Sequence, residues 1–175
     1  MKKPATIRYR ARQFFQALTA RVSDEELREV AQALHPEALS LFRSMAIQDQ
    51  RHGLDVYHAL YQQGRRNPHL LAAALLHDSG KAAAPLPPWQ RAVILLLKRF
   101  APRLLAHLSR GKLRGWRRPF VVHAWHPEIG AHLAEEAGCT PLTVALIRRH
   151  QAHPERCQTE EDNLLAALQA ADDVN

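Results

Sequence analysis

The chain has 175 residues, a formal net charge of +7 and a 46% hydrophobic fraction, which suits one domain with its own core and excludes a disordered chain. Its two cysteines, Cys139 and Cys157, are too few for a disulfide scaffold, and no stretch has the form of a secretory leader, so a cytoplasmic protein is expected. The uninterrupted apolar runs, Leu70 to Leu76 and Ala92 to Leu97, fall far short of the roughly 20 residues that a membrane-spanning helix needs.

Strand signals are nearly absent: alternation is not sustained, no Asn-Gly or Asp-Gly hairpin occurs, and aromatic residues make up only 6%. An all-α fold is expected. Ser23-Asp24-Glu25-Glu26 has the form of a capping box, after which Leu27, Val30, Ala31 and Leu34 recur at helical spacing up to His35-Pro36. A short helix extends from Pro36 to about Arg43. The segment Gln48 to Gln63 places His52, Val56, Ala59 and Leu60 on one face, and Gly64 with Asn67-Pro68 ends it. Pro68 to Asp78 is almost wholly apolar, so it belongs in the middle of a bundle, with Gly80 letting the chain turn away.

Ala82 to Pro88 reads as a loop, followed by an amphipathic helix from Trp89 to about His107 that Pro102 kinks or divides. Gly111 to Pro119 reads as a basic loop. His126-Pro127 looks like the start of a helix that Gly138 closes, and Thr140-Pro141 opens the next. Thr159 and Asp162 form a second capping box before a last helix carrying Leu164, Leu165, Leu168 and Ala171.

The positive charge is concentrated in one segment. Between Asp78 and Glu128 stand ten basic residues and no acidic one, whereas the other fourteen basic residues face all 17 acids. Such a segment suits a polyanionic partner, namely a phosphorylated substrate, a nucleic acid or an anionic membrane surface; a merely solvated surface is the alternative. Residues 89–118, with the Val93 to Leu97 run flanked by Arg and Lys, are the candidate for the nucleic-acid or membrane role. The apolar face of the same helix suits either its own bundle or a twin subunit in a homodimer.

His77 and Asp78 end the most apolar helix. Burying an unpaired carboxylate there is costly, and a bound metal ion removes that cost. Imidazole and carboxylate together suit Fe, Mn, Co, Ni or Zn. The dipeptide alone is equally compatible with a structural His–Asp hydrogen bond.

A wider pattern surrounds the dipeptide: His52-x-x-x-Val56-x-x-x-Leu60, then Leu70 to Leu76 followed by His77-Asp78-Ser79-Gly80-Lys81, and finally Ala170-Ala171-Asp172. This order resembles the HD-domain superfamily of metal-dependent phosphohydrolases. The resemblance implies an HD-like helical bundle in which His52, His77, Asp78 and Asp172 bind one metal, Asp173 being the adjacent alternative to Asp172. His123-Ala124-Trp125-His126-Pro127-Glu128 and Ile147-Arg148-Arg149-His150 look like the extra histidine motifs of two-metal members. By that resemblance His126 and His150 hold a second metal and Asp78 bridges the pair.

The motif order is most similar to the symmetrical diadenosine-tetraphosphate hydrolase branch. Gln151-Ala152-His153-Pro154 stands where the cyclic-di-GMP enzymes carry a different run, which disfavours that activity. What the resemblance implies is a single HD-type domain over 1–175, with its core at 48–174, unmatched N-terminal helices at 1–45 and an apolar-basic insertion at 82–122. The implied activity is hydrolysis of a nucleotide or other small phosphorylated compound by metal-activated water. Asp78 would serve the reaction through the metal, and Lys81 would meet the phosphate as a point charge. The alternative is a non-catalytic regulatory module that binds metal and a phospholigand.

His123 reads either as a substrate or supporting contact or as a loop histidine. Arg148 and Arg149 either clamp a distal phosphate or lie on a solvated helix face. His35, His58, His69, His107, His132 and His153 read as surface or packing residues, and the two cysteines as small hydrophobes.

Overall fold

The computed structural model describes residues 21–84, 88–111, 115–152 and 159–175, with the backbone alone at 88, 89 and 91. The described residues are all-α, without a strand. Lys112, Arg114, His153 and Cys157 lie outside them.

Local chemistry accounts for most helix ends. Helix α1 (Asp24–Ala33) starts at a complete capping box: Ser23 Oγ accepts from the Glu26 amide at 3.2 Å, and Glu26 Oε2 accepts from the Ser23 amide at 2.9 Å. Its buried face is Val30 and Leu34, whereas Ala31, expected on that face, is exposed because it lies one step round the helix from Val30. Helix α2 (Pro36–Ser44) uses His35 as its N-cap. Helix α3 (Ile47–Gln62) is closed by Gly64, whose φ of 79° is the left-handed conformation of a C-terminal stop.

Asn67 caps helix α4 (Pro68–Leu76) by accepting from the His69 and Leu70 amides. Six of its nine residues are buried, and it touches α1, α2, α3 and the two C-terminal helices, which makes it the centre of the bundle. The helix stops at Leu76, before His77 and Asp78, and the chain tightens into a 3-10 turn over Ser79–Ala83. The expected loop from Ala82 therefore begins later, with Ala84 still buried.

Pro102 divides the next stretch into α5 (Pro88–Phe100) and α6 (Pro102–Leu108). A second 3-10 turn, Gly115–Arg117, then leads into α7 (Arg118–Glu136), so Pro119 lies in a helix's first turn and not in a loop. Helix α7 also corrects the reading of His126-Pro127. Nine helical residues precede Pro127, so the dipeptide lies in mid-helix. Helices α8 (Pro141–Arg149) and α9 (Glu160–Asp172) complete the bundle, the latter behind the Thr159–Asp162 capping box and burying Leu164, Leu165, Leu168 and Ala171.

Two close backbone contacts fix how α3, α4 and α7 meet. At Gly53 an added Cβ would lie 2.8 Å from the Leu75 carbonyl oxygen, so the missing side chain lets α3 rest on the end of α4. Gly80 abuts α7 even more closely: a Cβ there would collide with the His126 carbonyl and sit 2.7 Å from the Gly130 nitrogen. The glycine thus serves close approach between backbones, rather than the turn expected of it.

Candidate metal centre

These contacts bring six side chains from five places in the chain to one point. His52 comes from α3, His77 and Asp78 come directly after α4, His126 lies in α7, His150 caps α8, and Asp172 ends α9. His52, His77 and Asp172 offer ligand atoms that all lie within 4.8 Å of one another, and Asp78, His126 and His150 do the same. Neither group includes a cysteine or Asp173. Successive rings of His52, His77, His150 and His126 are each 5.2 Å apart between centroids, so the two groups are contiguous.

Three of the imidazoles are oriented by one device. The Nδ1–H of His77 donates to the Ala74 carbonyl at 2.9 Å, that of His126 to His123 at 2.8 Å, and that of His150 to Ile147 at 2.7 Å. Because a carbonyl can only accept, each Nδ1 carries a proton, so that in the neutral ring Nε2 keeps its lone pair facing the cluster, the state that ligates a metal. For His77 and His150 the accepting carbonyl belongs to the last turn of a helix; that of Ile147 also receives the His150 amide, at a long 3.5 Å.

The donor set fits a metal ion. His77 Nε2 is fully buried and has no hydrogen-bond partner, although Asp172 Oδ1 lies 3.6 Å away and Asp78 Oδ2 3.7 Å. An orphaned nitrogen between two carboxylates is costly unless a cation sits among them. His126 Nε2 stands 3.4 Å from Asp78 Oδ1, and His52 Nε2 donates to Asp172 Oδ1 at 2.8 Å. Ligands held at about 2.0–2.2 Å from one ion are about 3–3.6 Å from each other; the separations here run from 2.8 to 3.7 Å, with every ligand atom of a group within 4.8 Å of the others. Ligation by His52 through Nε2 releases the proton that it now shares with Asp172.

Burial is the largest influence on each of these groups, but it does not always prevail. It raises the Asp78 carboxyl's pKa, yet the positive charge of Lys81, with smaller effects of His77, His52 and His126, outweighs it and holds the group well below the usual carboxylate range. Burial likewise raises Asp172, and the hydrogen bond from His52 together with the nearby His77 imidazole brings it far down. For His77 burial pushes the pKa down, but Asp78 and Asp172 reverse the sign and raise it. His126 and His150 lack that compensation, so desolvation takes them to about 3 and about 4. Both are neutral donors at pH 7.

Lys81 pairs with Asp78 Oδ2, three residues back along the turn, and does not stand apart from the cluster. His123 is on helix α7 and not in a loop. Half-buried, it stacks beside His126 at 6.2 Å, and burial with the charges of Lys98 and Lys81 lowers it to about 4. The two arginines before His150 are engaged by acids: Arg148 with Glu128 at 3.3 Å, and Arg149 with Asp162 at 2.7 Å and with Glu161. Arg149 thereby ties α8 to α9. Of the other histidines, His58 pairs with Glu29 and His69 with Thr140, as packing residues do.

Two glutamines at the site carry no sequence signal except their neighbours. Gln151, next to His150, donates its amide to His126 Nε2 at 3.2 Å, and Gln169 on α9 donates to the carbonyls of His150 (3.0 Å) and Ala152. Both hold the turn after α8 against the cluster. No protein-family model, curated protein or solved structure matches this chain.

Proposed function

We propose that the chain is an HD-type, metal-dependent phosphohydrolase of the cytoplasm, acting on a nucleotide or another small phosphorylated compound. The observation that carries this reading is the two-sided placement of Asp78, whose Oδ1 faces His126 and whose Oδ2 faces His77. Asp78 belongs to the group with His126 and His150 and reaches toward the other, a position from which one carboxylate could bridge two ions. His52, His77, Asp78 and Asp172 would hold the first, and Asp78, His126 and His150 the second, from among Fe, Mn, Co, Ni and Zn.

Ions bound there would activate water and draw charge from a phosphoryl oxygen. The chain's own residues provide the rest. His77, Asp78, His126 and His150 are almost completely buried, so their donor atoms meet a ligand without competing bulk water. Lys81, about one-third exposed and beside Asp78, offers a point charge to a phosphate oxygen arriving from solvent. His123, neutral at pH 7 and stacked on His126, is able to donate or accept a hydrogen bond at the same edge.

The test is metal content and phosphate release measured together, on protein purified without a chelating column. Near-stoichiometric metal and release from a panel of nucleotides and dinucleoside polyphosphates are expected, both lost in Asp78→Asn. Failure to take up any of the five metals on reconstitution would overturn the reading. Metal without turnover across the panel would leave the regulatory module in its place.

A further inference from the structure

Helix α5 is apolar on opposite sides. Ile94 is 3% exposed and anchors the inner side, yet Leu95, Leu96 and Phe100 on the outer side are 54%, 57% and 75% exposed, and Leu104 of α6 continues them at 49%. An exposed apolar stripe of this kind belongs against a second surface. Lys98, Arg99 and Arg103 are interleaved with these residues, and none of the three has an ion pair among the described residues. The nearest acids in sequence are Asp78 and Glu128.

We propose that the outer face of α5 and α6 docks the protein on an anionic lipid bilayer, lying in the headgroup layer. The combination of side chains selects this occupant. A second copy would oppose one uncompensated positive face with another. A nucleic acid would satisfy Lys98, Arg99 and Arg103 but leave three large apolar side chains against phosphate and water. A bilayer with anionic headgroups takes both, with the leucines and phenylalanine at the acyl boundary and the cations among the phosphates. No described helix is long and apolar enough to cross a membrane, so this surface lies on the bilayer and does not span it.

The inference stands independently of the proposed hydrolase activity, because it rests on different residues.

Flotation of the full chain with vesicles tests it, using phosphatidylcholine alone and phosphatidylcholine mixed with phosphatidylglycerol. Binding to the mixed vesicles only, weakened by salt, is the expected result. The triple variant Leu95→Ser/Leu96→Ser/Phe100→Ser should lose it while keeping its thermal midpoint and metal content, since all three side chains are exposed. Removing charges at Lys98, Arg99 and Arg103 should weaken partition roughly fivefold per charge. No flotation, equal flotation with neutral vesicles, or flotation unchanged in the Ser triple variant would overturn the proposal. So would binding to a single-stranded RNA that the charge variants lose and the Ser variant keeps, or a dimer in light scattering that the Ser variant dissociates.

Discussion

Pro127 withholds from the His123 carbonyl the amide that would normally bond to it in α7, and the His126 imidazole takes that place, its Nδ1 donating at 2.8 Å. A mid-helix proline thus does for His126 what a helix end does for His77 and His150. Replacing it tests the device. In Pro127→Ala the restored amide competes for the His123 carbonyl, so affinity at the Asp78–His126–His150 group should fall about 10–100-fold, as for lost supporting contacts elsewhere. The metal-free protein should become more stable, by up to about 3 kcal/mol, because the helix regains a residue it prefers. Calorimetry with and without metal reads both, and a stabilised variant with unchanged affinity would dismiss the device.

The contact between Gly80 and α7 predicts a severe packing defect. A methyl group at residue 80 collides with backbone, which cannot rotate away, so Gly80→Ala should cost about 3 kcal/mol or more and move His126 away from Asp78. Gly130→Ala should be milder, since its Cβ would approach the Gly80 nitrogen at 3.0 Å and Ser79 Oγ at 3.1 Å. Chemical denaturation ranks the two. Equal losses would show that the contact is less tight than the geometry indicates.

Burial of His126 links stability to pH in the metal-free protein. Its pKa is about 3 in the folded chain against the usual 6.5, so the unfolded chain takes up the proton first as pH falls. The contribution is therefore complete above pH 6.5 and is withdrawn between 6.5 and about 3, at about 1.4 kcal/mol per pH unit. His126→Gln removes this dependence. Over pH 6.5 to 4.5 the wild type should lose stability more steeply than the variant by up to that slope, and parallel curves would mean that His126 titrates as an exposed imidazole does.

Gln169 supports one group more than the other. Its amide holds the His150 and Ala152 carbonyls from α9, so Gln169→Leu should cost about 1–2 kcal/mol and loosen the turn that carries His150. Metal titration should show the His126–His150 group weakened and the His52–His77–Asp172 group retained. Equal weakening of both would indicate a general loss of fold.

Much of the bundle could be read from short-range chemistry. Capping boxes at Ser23 and Thr159, the prolines that open α2, α4 and α8, and the glycine after α3 act through residues within one turn, so they mark the same places in sequence and in structure. The uninterrupted apolar run of α4 likewise requires a central position wherever its neighbours lie. The His126-Pro127 reading failed for a related reason. A proline's local preference is for a helix start, and only the imidazole that replaces the missing amide, together with backbone packing on the Gly80 turn, makes mid-helix acceptable.

By itself, then, the sequence determined an all-α chain, its helix ends, its buried central helix and the residue types able to bind a metal, because each of these depends on neighbours within a few positions. Only the tertiary structure decided that His52 meets Asp172 across 120 positions, that Asp78 turns Oδ1 toward His126 and Oδ2 toward His77, and that Lys81 and Arg149 pair with nearby carboxylates. It also decided that Leu95, Leu96 and Phe100 face outward. Distances between side chains on different helices depend on how closely backbones pack, and here that closeness is set by side chains that are missing, at Gly53, Gly80 and Gly130.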